Sequence, residues 1–180
     1  MDRLQAIENT RFLGREFLLW MWFVSETQDG IIELPPTEEN QDGSIEVVID
    51  DRIVLEPSYG QGNRHLLSGM EPSTAPETAF ALQMNNMPSE MKLKVIRGSQ
   101  AWAFSLRGDD LLLRSLRIPE VLSQKDDDYL YERIYLLEEM EQILEQLWHN
   151  FLNARTSPLW SETQSNIQNW IQTKPTLLNS

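Results

Sequence analysis

The segment from Arg11 to Phe23 constrains the fold more than any other part of the chain. It contains two tryptophans and three phenylalanines but only three charged residues. Its apolar residues are too dense for a helix on the surface, and the apolar run over 17–24 is well short of the roughly 20 residues that cross a bilayer. The spacing predicts a helix from Arg11 to Ser25, capped by Asn9 or Thr10, at the centre of a domain or between two partners.

The aromatic side chains of this helix fit two roles. Burial in the chain's own core is the ordinary role for tryptophan and phenylalanine. Both residue types are also enriched at protein interfaces, so the helix is a candidate contact surface for a protein partner or a homodimer. The residues of this candidate interface are Phe17, Trp20, Trp22 and Phe23. The long helix predicted from Tyr129 to Arg155 offers a second surface for pairing with another helix.

The length of 180 residues and the 41% of hydrophobic residues fit one domain with a real core. We expect a single domain over 1–155 and a C-terminal tail over 156–180 with a short amphipathic helix, frayed from Thr173 onward. The chain has no cysteine, which excludes disulfides, thiolate metal sites and cysteine nucleophiles.

The remaining pattern predicts an α+β fold, with an antiparallel sheet packed by the aromatic N-terminal helix and a long acidic C-terminal helix. A capping box at Thr74 and Glu77 predicts a helix, and glycines at 60 and 62 predict a turn. A polar loop is expected over 35–43. Runs of β-branched and alternating residues predict six strands or short strands. Their ranges are Ile45–Ile49, Arg52–Glu56, Arg64–Ser68, Met91–Arg97, Ala101–Arg107 and Leu111–Ile118.

A formal net charge of −13 works against binding to phosphate backbones and anionic membranes. It fits a partner protein with a basic face. The N-terminus lacks the features of a signal peptide, and no run is long enough to span a bilayer. We therefore expect a cytoplasmic protein without membrane association, located at the nucleoid if DNA is its partner.

Motifs that would carry catalysis are weak. His65 and His149 stand alone in their segments, so neither suggests a metal site, and no cofactor-binding loop is present. The least weak pattern is Glu90-Met91-Lys92, which with Asp50 or Asp51 resembles the carboxylate and lysine set of a magnesium-dependent nuclease. The alternative is a solvated strand edge in an acidic chain.

Basic residues collect in the three predicted strands between 91 and 118. They are Lys92, Lys94, Arg97, Arg107, Arg114 and Arg117. One interpretation is a basic strip that contacts the phosphates of DNA. The other is the polar face of a half-buried sheet, paired with the acidic residues of the long helix.

The order of these segments resembles the RdgC family of recombination-associated bacterial proteins, over about Arg11 to Ile118 and in the C-terminal half of that family. The resemblance implies ring-shaped dimers that bind duplex DNA without sequence preference; the family has also carried an exonuclease label. The family's N-terminal half is absent from the match, and the long acidic helix extends beyond it. The matching segments are Phe12–Phe23, Ile53–Glu56, the helix from Thr74, Lys92–Val95, Trp102–Leu106 and Asp110–Ile118.

Three functional hypotheses follow. The first is a non-enzymatic, RdgC-like module of a DNA-associated recombination or replication assembly, with non-specific contact to double-stranded DNA through the basic strip. The second is an acidic adaptor or inhibitor that binds a basic protein. The third is a metal-dependent nuclease.

Overall fold

The computed structural model describes residues 3–34, 43–58 and 62–176, and of residues 3–10 the backbone alone. The predicted α+β class is confirmed in these residues, which form four α-helices and a six-stranded antiparallel sheet. The elements are α1 Arg3–Thr27, β1 Ile31–Glu33, β2 Ser44–Pro57, β3 His65–Ser68, a 3₁₀ turn Pro72–Thr74, α2 Pro76–Gln83, β4 Asn86–Arg97, β5 Gln100–Arg107, β6 Leu112–Arg117, α3 Asp126–Thr156 and α4 Trp160–Thr173. No helix in these ranges is long and apolar enough to cross a membrane.

The sheet has the strand order β1-β2-β4-β5-β6, and every paired strand is antiparallel. Strand β2 is long enough to pair with two short strands on one edge. Its first residues pair with β1, and its last residues pair with β3. Strand β6 forms the opposite edge.

The hydrophobic core lies on one face of this sheet, under α1. Alternate residues of β4 and β5, including Leu93, Val95 and Trp102, are buried there. Helix α1 is buried nearly all round between Phe17 and Trp22 because the sheet covers one side, and α3 and α4 cover the other. The indole of Trp102 fixes α3 by donating a hydrogen bond to the carbonyl of Leu136 at 3.0 Å.

The predicted N-terminal boundary of the aromatic helix is wrong. Helix α1 begins at Arg3, so Asn9 and Thr10 lie within the helix and not at its N-terminus. The predicted capping box is also wrong, because Ala75 is the N-cap of α2 and makes no side-chain cap. The Thr74 hydroxyl instead donates to the carbonyl of Glu71 at 3.0 Å, within the preceding 3₁₀ turn.

Strand boundaries differ from the sequence prediction at three places. The two strands expected on either side of Asp50 and Asp51 are the single strand β2, which bulges there. Strand β1 was not predicted, because three residues are too few to show a period. Strand β4 begins at Asn86 and includes Pro88, at a register shift in its pairing with β2, where a missing N–H is tolerated. The predicted loop over 35–42 and the turn at 60 lie outside the described residues.

The C-terminal segment is part of the same core. Helix α4 lies in the segment where a short amphipathic helix is predicted, and its Ile167 and Ile171 belong to the core that includes α1. The fraying predicted from Thr173 onward is not seen in residues 173–176, where Lys174 and Thr176 are buried. The ammonium group of Lys174 bonds to the carboxylate of Glu26 on α1 at 2.6 Å and lies 4.4 Å from the ring centroid of Trp170. Residues 177–180 lie outside the described ranges.

Helix α1 contacts the backbone of the β5–β6 turn at Gly14. A Cβ atom added to Gly14 would lie 1.8 Å from the carbonyl oxygen of Gly108 and 2.9 Å from its carbonyl carbon. Both are backbone atoms, so the clash cannot be relieved by a rotamer change. Glycine is therefore required at position 14 by the close approach of the helix to the turn.

We expect Gly14→Ala to lower the free energy of unfolding by about 3 kcal/mol, because the turn and helix must separate. Helix propensity alone would favour alanine by about 1 kcal/mol, so the two effects have opposite signs. Urea unfolding followed by tryptophan fluorescence measures the change. The control is Gly98→Ala, where φ is +57° and nothing lies within 4 Å of the added Cβ. It should cost about 1 kcal/mol. Equal losses in the two variants would contradict the close contact.

Candidate nucleic-acid interface

The face of the sheet opposite α1 is open to solvent along the second half of β4. Side chains at Lys92 and Lys94 lie on this face, and Leu93 and Val95 lie on the core face, as the sequence alternation predicts. The pairing registers extend two rows across the sheet. One row is Val48, Lys94, Ala103 and Arg117, and the next is Lys92, Ser105 and Arg114.

A bulge in β6 brings Arg114 and Arg117 onto this face together. Ser105 pairs with Arg114 and Ala103 pairs with Arg117, so two steps on β5 correspond to three on β6. The extra residue is accommodated at Ser115, which has a φ of +53°. In a regular strand, residues three apart would point to opposite faces. The bulge therefore gives the edge strand two arginines on one side of the sheet.

Lys92 is held by a second bulge. Three residues of β2, 50–52, lie opposite the single Lys92 of β4. The ammonium group of Lys92 donates to Asp51 at 2.8 Å and lies 3.0 Å from a carboxylate oxygen of Asp50. The hydrogen bond to Asp51 is the main cause that raises the pKa of Lys92, with that to Asp50 next. The charge of Lys92 is therefore compensated within the sheet.

Arg107 is compensated in a similar way. Its guanidinium Nε donates to Asp110 at 2.7 Å, and a second nitrogen bonds to the other oxygen of the same carboxylate. This pairing is the first cause of the lowered pKa of Asp110 and of the raised pKa of Arg107. Arg107 therefore lies on the open face, but its charge is paired within the β5–β6 turn.

Arg97 does not belong to the open face, which corrects its place in the predicted basic strip. Positions 91, 93, 95 and 97 of β4 share the core face, so Arg97 points under α3. There it is 8% exposed and lies 3.3 Å from a carboxylate oxygen of Glu139. Such a cation cannot reach the phosphates of DNA. Its contribution is to the attachment of α3 to the sheet.

Three of the six predicted residues remain exposed on the open face, namely Lys94, Arg114 and Arg117. Among the described residues, none of the three forms an ion pair. The strand spacing puts Lys94 and Arg117 about 10 Å apart, and successive rows about 7 Å apart. Arg114 adds to the field that lowers the pKa of Asp110, although other groups contribute more. This trio is the part of the basic strip with charge available to a ligand.

The residues of the nuclease pattern do not form a metal site. Glu90 lies opposite Val54 and Arg107, is nearly buried, and pairs with Arg52 at 3.6 Å. The carboxylates of Asp50 and Asp51 are bonded to Lys92, as described above. Within residues 11–34, 43–58 and 62–176, no group of three or more His, Cys, Asp or Glu side chains could hold a metal ion.

The aromatic residues of the candidate protein interface lie inside the chain. Helices α3 and α4 pack on the side of α1 that the sheet leaves uncovered. The ring of Phe151 lies 5.4 Å from that of Phe17, and Trp170 lies 5.7 Å from Trp22. This burial favours the core role over an interface. Phe17, Trp20 and Trp22 are buried, and Phe23 is half-buried.

No protein-family model, curated protein or solved structure matches this chain. The resemblance to the RdgC family therefore remains a prediction from the order of segments.

The Arg97–Glu139 pair generates a test of its structural role. We expect Arg97→Met to lower the free energy of unfolding by about 3–5 kcal/mol, because a buried ion pair then loses its cation. The double variant Arg97→Met with Glu139→Leu should recover most of this loss. Chemical unfolding followed by tryptophan fluorescence measures both. A single variant as stable as the native chain would show that Arg97 is not buried against Glu139.

Proposed function

We propose that this protein is a non-enzymatic module of a DNA-associated assembly and contacts duplex DNA through the open face of its sheet. The observation that carries the proposal is the exposed trio Lys94, Arg114 and Arg117. Lys94 lies on β4 and the two arginines lie on β6, with β5 between them, and none of the three forms an ion pair among the described residues. The sheet fixes the spacing of the backbone positions that carry these cations, and cationic side chains are the usual contacts to phosphate oxygens. The predicted kinship with a duplex-binding family is a second, independent support.

Duplex DNA fits this face better than a single strand. Proteins that hold single strands stack the bases on exposed aromatic rings. The positions of the open face beside Lys92 and Lys94 carry Glu46, Val48, Ile96, Ala103 and Ser105, whereas Trp102 and Phe104 point into the core. A face with cations and no ring in these positions suits a phosphate backbone. Contact of this kind carries no sequence preference.

The acidity of the rest of the chain limits the strength of this contact. With a net charge of −13, the protein as a whole repels DNA, and only a local patch attracts it. We therefore expect weak binding that depends steeply on salt. The repulsion from the rest of the chain would orient the molecule so that the cationic trio faces the duplex.

The test is a fluorescence-anisotropy titration of labelled duplex DNA, with a single strand of the same sequence alongside. Three phosphate contacts predict a salt slope of about −2.7, or an affinity loss of about 40-fold between 50 and 200 mM salt. Arg114→Gln with Arg117→Gln should reduce the magnitude of the slope by about 1.8. The duplex should bind more tightly than the single strand.

The matched control is Lys125→Gln with Arg133→Gln. Both residues are exposed, lie off the open face and form no ion pair among the described residues, and their loss changes the net charge equally. This control should keep the native salt slope. If both double variants lose the same amount of DNA affinity, the attraction to DNA depends on total charge and not on the open face. If the native protein does not bind duplex DNA even at low salt, the proposal fails.

A further inference from the structure

The first three turns of α3 extend beyond the core. From Leu136 onward, one side of the helix is buried, through Met140, Ile143, Leu147 and Phe151. Before Leu136 the helix is exposed at every position except the half-buried Glu132. The turns over 126–134 therefore keep most of their surface exposed, in contrast to the second half of the helix.

This projecting part carries large apolar side chains where a solvated helix would carry polar ones. Leu130 and Tyr131 keep 55% and 71% of their surfaces exposed, and Leu137 keeps 42%. Leu130, Ile134 and Leu137 follow the spacing i, i+4, i+7 and so form one stripe. Single exposed apolar residues are ordinary, but a continuous stripe with an adjoining tyrosine marks an interaction site.

The projecting turns are held in place without a partner. The carboxylate of Glu132 accepts the backbone N–H of Leu122 at 2.9 Å and that of Ser123 at 2.8 Å, and it also accepts the Ser123 hydroxyl. These bonds fasten the segment before α3 to the second turn of the helix, and they lower the pKa of Glu132. The stripe is therefore presented on a braced helix, which reduces the entropy lost on binding.

Acidic groups border the stripe at both ends. Asp126, Asp127 and Asp128 precede it, and Glu138 and Glu141 follow it, all exposed. A second copy of this helix would face carboxylates with carboxylates in either the parallel or the antiparallel orientation. Charge therefore disfavours self-pairing through this surface, and it favours a partner whose apolar stripe is bordered by lysines and arginines.

We propose that the projecting part of α3 is the docking surface for a basic amphipathic helix of a partner protein. The stripe of Leu130, Ile134 and Leu137 would pack against the apolar face of that helix, as two amphipathic helices pack along a shared apolar seam. The acidic ends would select for its cationic borders. This surface is on α3 and is independent of the open sheet face, so either proposal can fail alone.

The probe is a synthetic fluorescent peptide with leucines at i, i+4 and i+7 and lysine or arginine at both ends. A matched peptide keeps the leucines and carries glutamate at the ends. In anisotropy titrations the cationic peptide should bind at least about tenfold more tightly than the acidic one. Added salt should weaken the binding of the cationic peptide. Absence of binding by the cationic peptide, or equal binding of both peptides, would overturn the proposal.

The variant Leu130→Gln with Ile134→Gln should weaken binding of the cationic peptide by about tenfold or more. Both residues are exposed, so the melting temperature should stay close to the native value. The control variant Leu66→Gln with Leu159→Gln removes apolar side chains that are exposed elsewhere and should bind as the native chain does. Equal weakening in the control would overturn the assignment to α3.

Sedimentation velocity over a range of concentrations separates a partner from a second copy. We expect a sedimentation coefficient that does not depend on these α3 residues. A dimer that dissociates in Leu130→Gln with Ile134→Gln would show that the stripe binds another copy of the chain, and the proposed basic partner would be wrong. The variant Glu138→Lys with Glu141→Lys tests the role of charge. It should weaken binding of the cationic peptide and strengthen binding of the acidic one.

Discussion

The contact between α1 and the sheet is the constraint on which the other parts of the structure depend. Gly14 brings the helix onto the backbone of Gly108, and the buried guanidinium of Arg15 then lies between two elements of the sheet. It pairs with Glu56 at the end of β2 at 2.5 Å and with Asp109 in the β5–β6 turn at 2.6 Å. A buried cation with two anionic partners fixes the direction of the helix as well as its distance.

One consequence of this arrangement is that every core helix packs on the same side of the sheet. Helix α1 covers β2 and β4, and α3 and α4 then cover α1. The opposite face along the second half of β4 stays open to solvent and carries both polar and apolar residues. A two-layer arrangement thus creates the open face as a by-product of how the aromatic helix is buried. The cations there need no functional role to be stable, which is why the matched charge controls decide the question.

The sequence predicts those features that depend on periodicity and fails where an extra residue breaks the period. The alternation of Lys92, Leu93, Lys94 and Val95 correctly assigns the two faces of β4. Alternation alone would separate Arg114 from Arg117, because it cannot reveal the left-handed backbone at Ser115. Likewise, the apolar spacing of α3 predicts a helix, but it does not show that the core covers this helix only from Leu136 onward. The exposure of Leu130 depends on how far the rest of the fold reaches along the helix, and a local sequence pattern carries no information on that.

The distribution of charge relates the two proposed surfaces. On the sheet, carboxylates neutralise Lys92 and Arg107 and leave a small cationic patch. At α3 they border an apolar stripe and outnumber the nearby cations Lys125 and Arg133. Such a molecule presents opposite signs on two separate elements. A basic partner helix bound at α3 would reduce the repulsion between this acidic chain and DNA, because charge on the partner offsets the net −13. Binding at α3 would then strengthen contact at the sheet without any change in conformation, and the strengthening would diminish as salt screens the long-range field.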